Sequence, residues 1–269
     1  MGFALRSDSL TFWDGHELHA HSHPWGQLIY AASGSMRVLA EEALWLVPQG
    51  RALWAPPNVV HAISMRGAVA MRTIYVPPER AIVLASTCQA VEIAPLLREL
   101  ILHIAPMRLI RDDVPEHERL ASLFLDKLAK AKRVILTVPM PRDPALMRIA
   151  DYLRNDLLRD ASLPMLAQMA GLGVRTLQRR FLEETGLRFV EWRQRLRLIQ
   201  ATQMLGTGAS VTDAGAQAGY ANTSAFIAAF RAHMGTTPKA FLKAEESTAP
   251  RNKKAPAAGR GLLNSRRIL

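Results

Sequence analysis

Among the 269 residues there is a single cysteine, Cys88, so no internal disulfide can form, and the chain suits a reducing compartment. No run approaches 18 apolar residues, so no membrane-spanning helix is expected. The opening residues, MGFALRSDSL, lack the basic-then-apolar pattern of a secretory leader, and a cytoplasmic location is expected. Disorder along the whole length is excluded, because 49% of the residues are hydrophobic and can build cores. The length suits one large domain or two modest ones.

Acidic charge is also short, and unevenly so. The chain carries Lys+Arg 34 against Asp+Glu 23, a formal net charge of +11. Residues 1–140 hold 14 basic and 13 acidic side chains, whereas residues 141–269 hold 20 and 10. A basic half joined to a neutral half suggests a module for a polyanion attached to something else.

Residues 1–80 read as β-rich. The runs Gln27–Ala31, Met36–Ala40, Leu44–Val47, Ala52–Ala55, His61–Met65 and Met71–Val76 are separated by Gly, Pro, Ser and Asn, as in a sandwich or barrel. Residues 81–140 form a helical relay or dimerisation segment and linker. Helices are predicted over Val91–Ile104 and Pro115–Lys132, followed by a strand and a Pro-rich stretch in 134–144. Leu96, Leu97, Leu100, Ile101 and Ile104 exceed what one core-facing stripe needs, which predicts a second buried face and a homodimer. Residues 141–243 read as all-helical. The tail 244–269, basic and rich in Ala, Pro and Gly, is expected to be disordered.

The helical half repeats itself. In 162–186, Ser162 caps a helix with Leu163, Leu166, Ala167 and Ala170 on one face; Gly171 turns the chain, and Leu177 and Phe181 mark a second helix closed by Gly186. In 210–235, Ser210 and Asp213 form a capping-box-like pair, Val211, Ala214, Gly215 and Ala218 repeat the spacing, and Gly219 turns the chain. Phe226 and Phe230 mark the second helix, closed by Gly235. Two such units are helix-turn-helix signatures, in which the second helix offers its polar face to the DNA major groove. The candidate DNA contacts are Arg175, Thr176, Gln178 and Arg179 in the first unit, and Asn222, Thr223, Ser224, Ile227 and Arg231 in the second. Phe189–Leu205 reads as one helix joining them, with Trp192, Leu196 and Ile199 on one stripe.

The segments RTLQRRFLEETG, RLRLIQATQML and GYANTSAFIAAFRAHMGTTPKAF resemble the DNA-binding domain of AraC/XylS-type transcriptional regulators. That resemblance implies two helix-turn-helix subdomains reading half-sites in promoter DNA, and a partner domain that senses a signal or dimerises. One departure stands out. The family usually has larger apolar residues where Ala214, Ala216 and Ala218 stand, and no glycine at Gly215, so the second subdomain is expected to be loosely packed or to depend more on DNA to hold it.

The neutral half carries a histidine constellation, HAHSHPWGQLIYAASG, with His19, His21 and His23 at alternate positions that share one face if the segment is a strand. Together with GRALWAPPNVVH it resembles the two cupin motifs. His21, His23, Gln27 and Gly34 match the first, with Gln for the usual Glu. Gly50, Pro56 and His61 match the second, with Asn58 for the usual Gly and Met65 for the usual Asn. The resemblance implies a small barrel, and hence an α+β chain: a cupin-like β-barrel, helices, then an all-α double helix-turn-helix domain. It also implies a pocket lined by His21, His23, Gln27 and His61. Three imidazoles and an amide oxygen suit a divalent transition metal, Zn²⁺, Ni²⁺, Fe²⁺ or Cu²⁺, although the set has no carboxylate to offset the ion. The same histidines also suit hydrogen bonds to an organic ligand or to each other.

The function expected is a sequence-specific regulator, activator or repressor, that senses a small molecule or metal and contacts promoter DNA, with RNA polymerase a further partner. Regulators of this short, cupin-bearing kind often sit beside transporter genes, which makes an efflux gene a candidate target. No enzyme activity is expected, since no acid–base pair is placed; Glu41 and Glu42 read as a charged turn. Two alternatives stay open here: a cupin-type metal-dependent enzyme, and an architectural DNA binder without sequence preference.

Overall fold

The computed structural model describes residues 3–155, 161–206, 208–234 and 236–242. The expected disorder of 244–269 and the closing glycine Gly235 lie outside the described residues.

The first half is a curled antiparallel sheet. Its strands are β1 (Phe3–Phe12), β2 (Glu17–His21), β3 (Gly26–Ala40), β4 (Ala43–Val47), β5 (Arg51–Ala55), β6 (His61–Val76), β7 (Gln89–Glu92), β8 (Leu109–Arg111) and β9 (Thr137–Pro139). The short runs legible in the sequence are partly fused. Gln27–Ala31 and Met36–Ala40 are two parts of β3, while His61–Met65 and Met71–Val76 are two parts of β6. The polar spacers between them are where the register of the β3–β6 pair shifts and the strands bend. At one end β3 pairs with β5, at the other with β4, so the sheet curls.

Alternation along β3 separates two cores. Leu28, Tyr30 and Ala32 face outward with Trp54, Ile74 and Val76, where α2 (Pro95–Ile104) and α3 (Pro115–Ala129) cover them. Ile29 and Ala31 face inward with Leu53, Ile63, Met65 and Met71. A four-residue helix, α1 (Pro78–Ala81), leaves the end of β6. Two expectations are corrected here. Val91 lies in β7, paired with β5, and the helix begins only at Pro95, whose fixed φ suits a first helical position. Leu97, Leu100, Ile101 and Ile104 are all buried within this same chain; only Leu96 stays exposed, so the apolar excess covers the sheet and forms no second face.

The second half comprises α4 (Pro144–Asn155), α5 (Leu163–Met169), α6 (Val174–Thr185), α7 (Phe189–Gly206), α8 (Val211–Gln217) and α9 (Thr223–Met234). Helix α7 belongs to both subdomains. Its Trp192, Leu196 and Ile199 join Leu166, Leu177 and Phe181, while its Leu198, Ala201 and Leu205 join Ala214, Phe226, Phe230 and Phe241. The expectation of a loose second subdomain is overturned. A Cβ at Gly215 would lie 2.9 Å from the Phe226 ring, so the glycine is what lets Phe226 seat fully buried on the backbone of α8.

The two halves share structure. Strand β9 pairs with β4, and Leu44 and Leu46 of β4 enter the same core as Val138, Met140, Leu146 and Trp192. The Trp192 indole N–H donates to the Pro139 carbonyl at 2.6 Å. Arg51 of β5 lies 5.4 Å over the Phe241 ring. Arg37 of β3, buried, donates through Nη2 (2.8 Å) and Nε (3.2 Å) to Gln203 Oε1 on α7, and through Nη1 to the Arg154 carbonyl at 3.2 Å. Burial, reinforced by the positive charges of Arg66 and Arg154, lowers the Arg37 pKa to about 10, so it remains charged at neutral pH.

Two outcomes are expected. Gln203→Leu strands a buried guanidinium and should lower stability by about 2–4 kcal/mol in urea denaturation. Arg37→Met added to it should restore most of that loss; simple additivity would refute the coupling. Gly215→Ala should lower stability by about 1–3 kcal/mol through overpacking, although alanine is the better helix former by about 1 kcal/mol. A raised melting temperature would show that Phe226 has slack.

Candidate functional site

The histidine cluster sits at the mouth of the inner core. His21 ends β2, His23 follows it in a bend, Gln27 opens β3 and His61 opens β6, directly across from His21. His21 and His23 are therefore brought together by a turn after the strand, and not by strand alternation. Their ring centroids lie 4.4 Å (His21) and 5.2 Å (His23) from that of His61. His19 is exposed and contributes its carbonyl. Asn58, in the place of the motif glycine, adopts φ +65°, which asparagine tolerates. Its N–H donates to the His23 carbonyl at 2.9 Å and ties the two motifs together.

Each of the three rings turns Nδ1 to a main-chain carbonyl: His21 to His19 O (2.7 Å), His23 to Trp25 O (2.8 Å) and His61 to Val59 O (2.9 Å). A neutral imidazole that donates from Nδ1 presents a lone pair at Nε2. One ring nitrogen from each histidine lies within 4.8 Å of the others. The Nε2 of His61 is buried with no hydrogen-bond partner among the described residues. Gln27 Oε1 stands 3.1 Å from His23 Nε2, while its Nε2 donates to Thr73 Oγ1 at 2.8 Å. With His23 neutral and donating from Nδ1, two acceptors face each other and a cation between them would satisfy both; a second proton on the ring would do so too, by donating from Nε2. Ligands about 2.1 Å from one ion stand about 3.4 Å apart at the tetrahedral angle and about 3 Å apart at the right angle of a six-coordinate ion, which brackets the distance here. The amide turned over would satisfy the same groups without a cation, by donating to His23. Metal-ligating histidines characteristically hold their second nitrogen on a carbonyl or carboxylate, as all three do here. The residues present therefore fit a divalent transition metal.

Around this cluster stand residues that the sequence pattern did not single out. Tyr75 lies 5.3 Å from His23 between ring centroids and within 3.5 Å of the Gln27 amide. Trp25 lies 6.1 Å from His23, and Arg6 spreads over both the Trp25 (6.0 Å) and Tyr75 (5.8 Å) rings. Their common signal is register: Arg6, Tyr75 and Gln27 form one cross-strand row over β1, β6 and β3. Cys88 is buried, and that burial, with the Glu41 carboxylate beside it, pushes its thiol well above the usual range, so it is no nucleophile.

The second candidate surface is the pair of helices α6 and α9. Ser162 Oγ accepts from Met165 N (3.4 Å) and Ser210 Oγ from Asp213 N (3.0 Å), so both brace helices start as their sequences imply. Gly171 and Gly219 both turn the chain with left-handed φ, +69° and +79°. On α6, Arg175, Gln178 and Arg179 are exposed and Thr176 is half-buried; Arg179 pairs with Glu183 at 2.8 Å. On α9, Ser224 and Arg231 are exposed and Thr223 and Ile227 half-buried. Asn222 is exposed, but its Oδ1 accepts from Ala225 N at 2.8 Å, so it caps α9. Ser224, Ile227, Arg231 and Thr237 border an open groove of about 680 Å³.

A family model described as an AraC-like ligand binding domain matches residues 11–131, and one described as a helix-turn-helix domain matches residues 166–244. The HTH-type transcriptional regulator NimR of Escherichia coli is 31% identical over 234 residues, covering 87% of this chain and 85% of its own. The HTH-type transcriptional regulator RipA of Corynebacterium glutamicum is 34% identical over 122 residues, 45% of this chain and 35% of its own. A crystal structure of ToxT from Vibrio cholerae aligns over 90% of this chain and 99% of its own, at 12% identity and a TM-score of 0.39.

His61 yields a pH test. Burial lowers its pKa from 6.5 to about 4, against the hydrogen bond to Val59 that raises it and with the help of His21 and His23. The unfolded chain takes up the proton first. The stabilisation is thus complete above pH 6.5 and is lost as pH falls toward 4, about 3 kcal/mol in all. His61→Gln should flatten this acid limb of stability measured by chemical denaturation. A variant curve parallel to the parent would remove His61 as its source.

Proposed function

Since the chain belongs to the AraC family of DNA-binding transcriptional regulators, with an N-terminal ligand-binding domain, we propose that its barrel senses a divalent transition metal and sets how α6 and α9 meet promoter DNA. The observation that carries the sensing half is the convergence of three imidazoles whose Nδ1 atoms are all committed to carbonyls. His21, His23 and His61 would hold the ion, with Gln27 Oε1 as fourth donor. Held there, an ion would cross-link β2, β3 and β6 through His21, Gln27 and His61. This chain's own residues do the rest.

Strand β3 carries Gln27 at one end and Arg37 near the other. Pulling Gln27 toward a ligand therefore acts on the same strand that holds Arg37 against Gln203 of α7. A ligand shifts the protein only if it binds the two arrangements differently, and this strand is the element through which it would do so. The functional division follows: a sensor in 1–80, a relay in 81–140 and DNA binding in 141–243.

On the DNA side, Arg175, Gln178 and Arg179 have the donors to read base edges. The exposed Arg179–Glu183 pair holds Arg179 only weakly and releases it to DNA at little cost. Thr176, Thr223 and Ser224 suit backbone contacts, Asn222 sets the start of α9, and Ile227 and Arg231 complete its outer face. No helix among the described residues is long and apolar enough to cross a membrane. The protein acts on promoters in the cytoplasm, alongside RNA polymerase, as a non-catalytic regulator whose target includes a neighbouring transporter gene.

The test is a pull-down of sheared genomic DNA with purified protein, sequenced with and without Zn²⁺ or chelator. Sharp promoter-proximal sites with paired half-sites are expected, with occupancy that responds to metal. Diffuse recovery would sink sequence-specific regulation. Arg175→Ala and Gln178→Ala should each weaken binding to such a site by about 1–3 kcal/mol. Unchanged affinity in both would remove α6 as the reader.

A further inference from the structure

We propose that the barrel's full effector is a metal ion together with a small organic carboxylate, which completes the ion's coordination and lies along Trp25 and Tyr75 toward Arg6. This rests on the metal reading of His21, His23 and His61.

The first argument is charge. All four protein donors are neutral, so a divalent ion held by them keeps its whole +2. Among the described residues, the grouped donors are three histidines, with no Asp or Glu in the group. Arg6 adds a second positive group on the same side of the sheet, and it is paired with no carboxylate within ion-pair distance among the described residues. The charged groups felt by Tyr75 are Asp8, two residues along β1, and Arg6 itself. A half-buried mouth with this balance is short of negative charge, and water screens it less than it screens an exposed surface.

The second argument is coordination. Three imidazoles leave one position of a tetrahedral Zn²⁺ to a fourth donor, so a carboxylate oxygen enters by displacing the weakly held Gln27 amide, whereas a six-coordinate ion keeps further positions open beside it. His21 and His23 are only half-buried, so the ion is approachable. A carboxylate oxygen is a suitable incoming donor, and it supplies the charge that the Gln in place of a motif Glu withholds.

The third argument is shape. Phe3, Trp25 and Tyr75 stand edge to face, with ring centroids 6.2 and 6.3 Å apart. They make an apolar wall that continues from His23 to the Arg6 guanidinium. Inorganic anions would gain nothing from such a wall, whereas the carbon body of an organic acid buries apolar area against it.

The experiment uses the full chain. Zn²⁺ is titrated calorimetrically into the protein alone, with phenylacetate, and with its neutral isostere phenylacetamide. Co²⁺ then replaces Zn²⁺, so that a change of ligands at the ion is read in its visible spectrum. Phenylacetate should tighten Zn²⁺ binding about 10-fold, and by reciprocity Zn²⁺ should tighten phenylacetate equally. It should also shift the Co²⁺ spectrum, and phenylacetamide should do neither. Arg6→Gln should cut the gain to under about 2-fold. Equal Zn²⁺ affinity with acid and amide would overturn the proposal while leaving the metal site standing, as would a full gain retained in Arg6→Gln. Failure of the unmodified chain to bind Zn²⁺ or Co²⁺ at all would refute the metal reading itself, and this inference with it.

Discussion

A guanidinium with no counter-ion among the described residues joins the two halves of this protein. Arg37 leaves β3, enters the seam between sheet and helices, and among the described residues is met there by the Gln203 amide oxygen and the Arg154 carbonyl. Neutral acceptors satisfy its donors but do not cancel its charge, and Arg66 and Arg154 add repulsion. The contact is therefore specific in geometry and modest in net energy, unlike a packed apolar seam. That combination suits a joint between two halves that must hold one arrangement and still be able to leave it.

The rest of the architecture is arranged about that joint. Helix α7 cannot move alone, because Trp192 and Leu196 belong to one helix-turn-helix core and Leu198 and Leu205 to the other. Strand β9 and the Trp192–Pro139 hydrogen bond fasten the first core to the sheet, and Arg51 over Phe241 touches the second. In the regulation proposed above, α7 is the element through which a change in the sheet would reach both α6 and α9. The two helices themselves are unequal: α6 exposes the long hydrogen-bond donors Arg175, Gln178 and Arg179, whereas α9 exposes mostly small side chains.

The histidine cluster follows a similar logic of neutral partners. Main-chain carbonyls fix the ring orientations, so the cluster is preorganised without any acidic residue. Burial keeps His61 unprotonated, and its open nitrogen stays available. Gln27 ties the cluster to Thr73 and Tyr75 and so to the sheet behind it.

Much was legible in the chain by itself, because it depends on neighbours a few residues away. The Ser162 and Ser210 caps, the turns at Gly171 and Gly219, and the four-residue spacing of Phe226 and Phe230 all express local backbone geometry, and each appears in the fold. His21, His23, Gln27 and His61 were named through the resemblance to the cupin motifs, and the fold brings them together. What only the tertiary structure decided are pairings across long separations. Alternation along a single strand could not disclose that Arg6, Tyr75 and Gln27 share a row, since that is a property of β1, β6 and β3 together. Helical periodicity read Val91 as helix because an apolar residue fits either period; the β5 edge claimed it for the sheet. Helix propensity marked Gly215 as a weakness, whereas contact with Phe226 makes it a requirement. Nothing in the local sequence singles out Arg37; the fold brought Gln203, 166 residues away, against it.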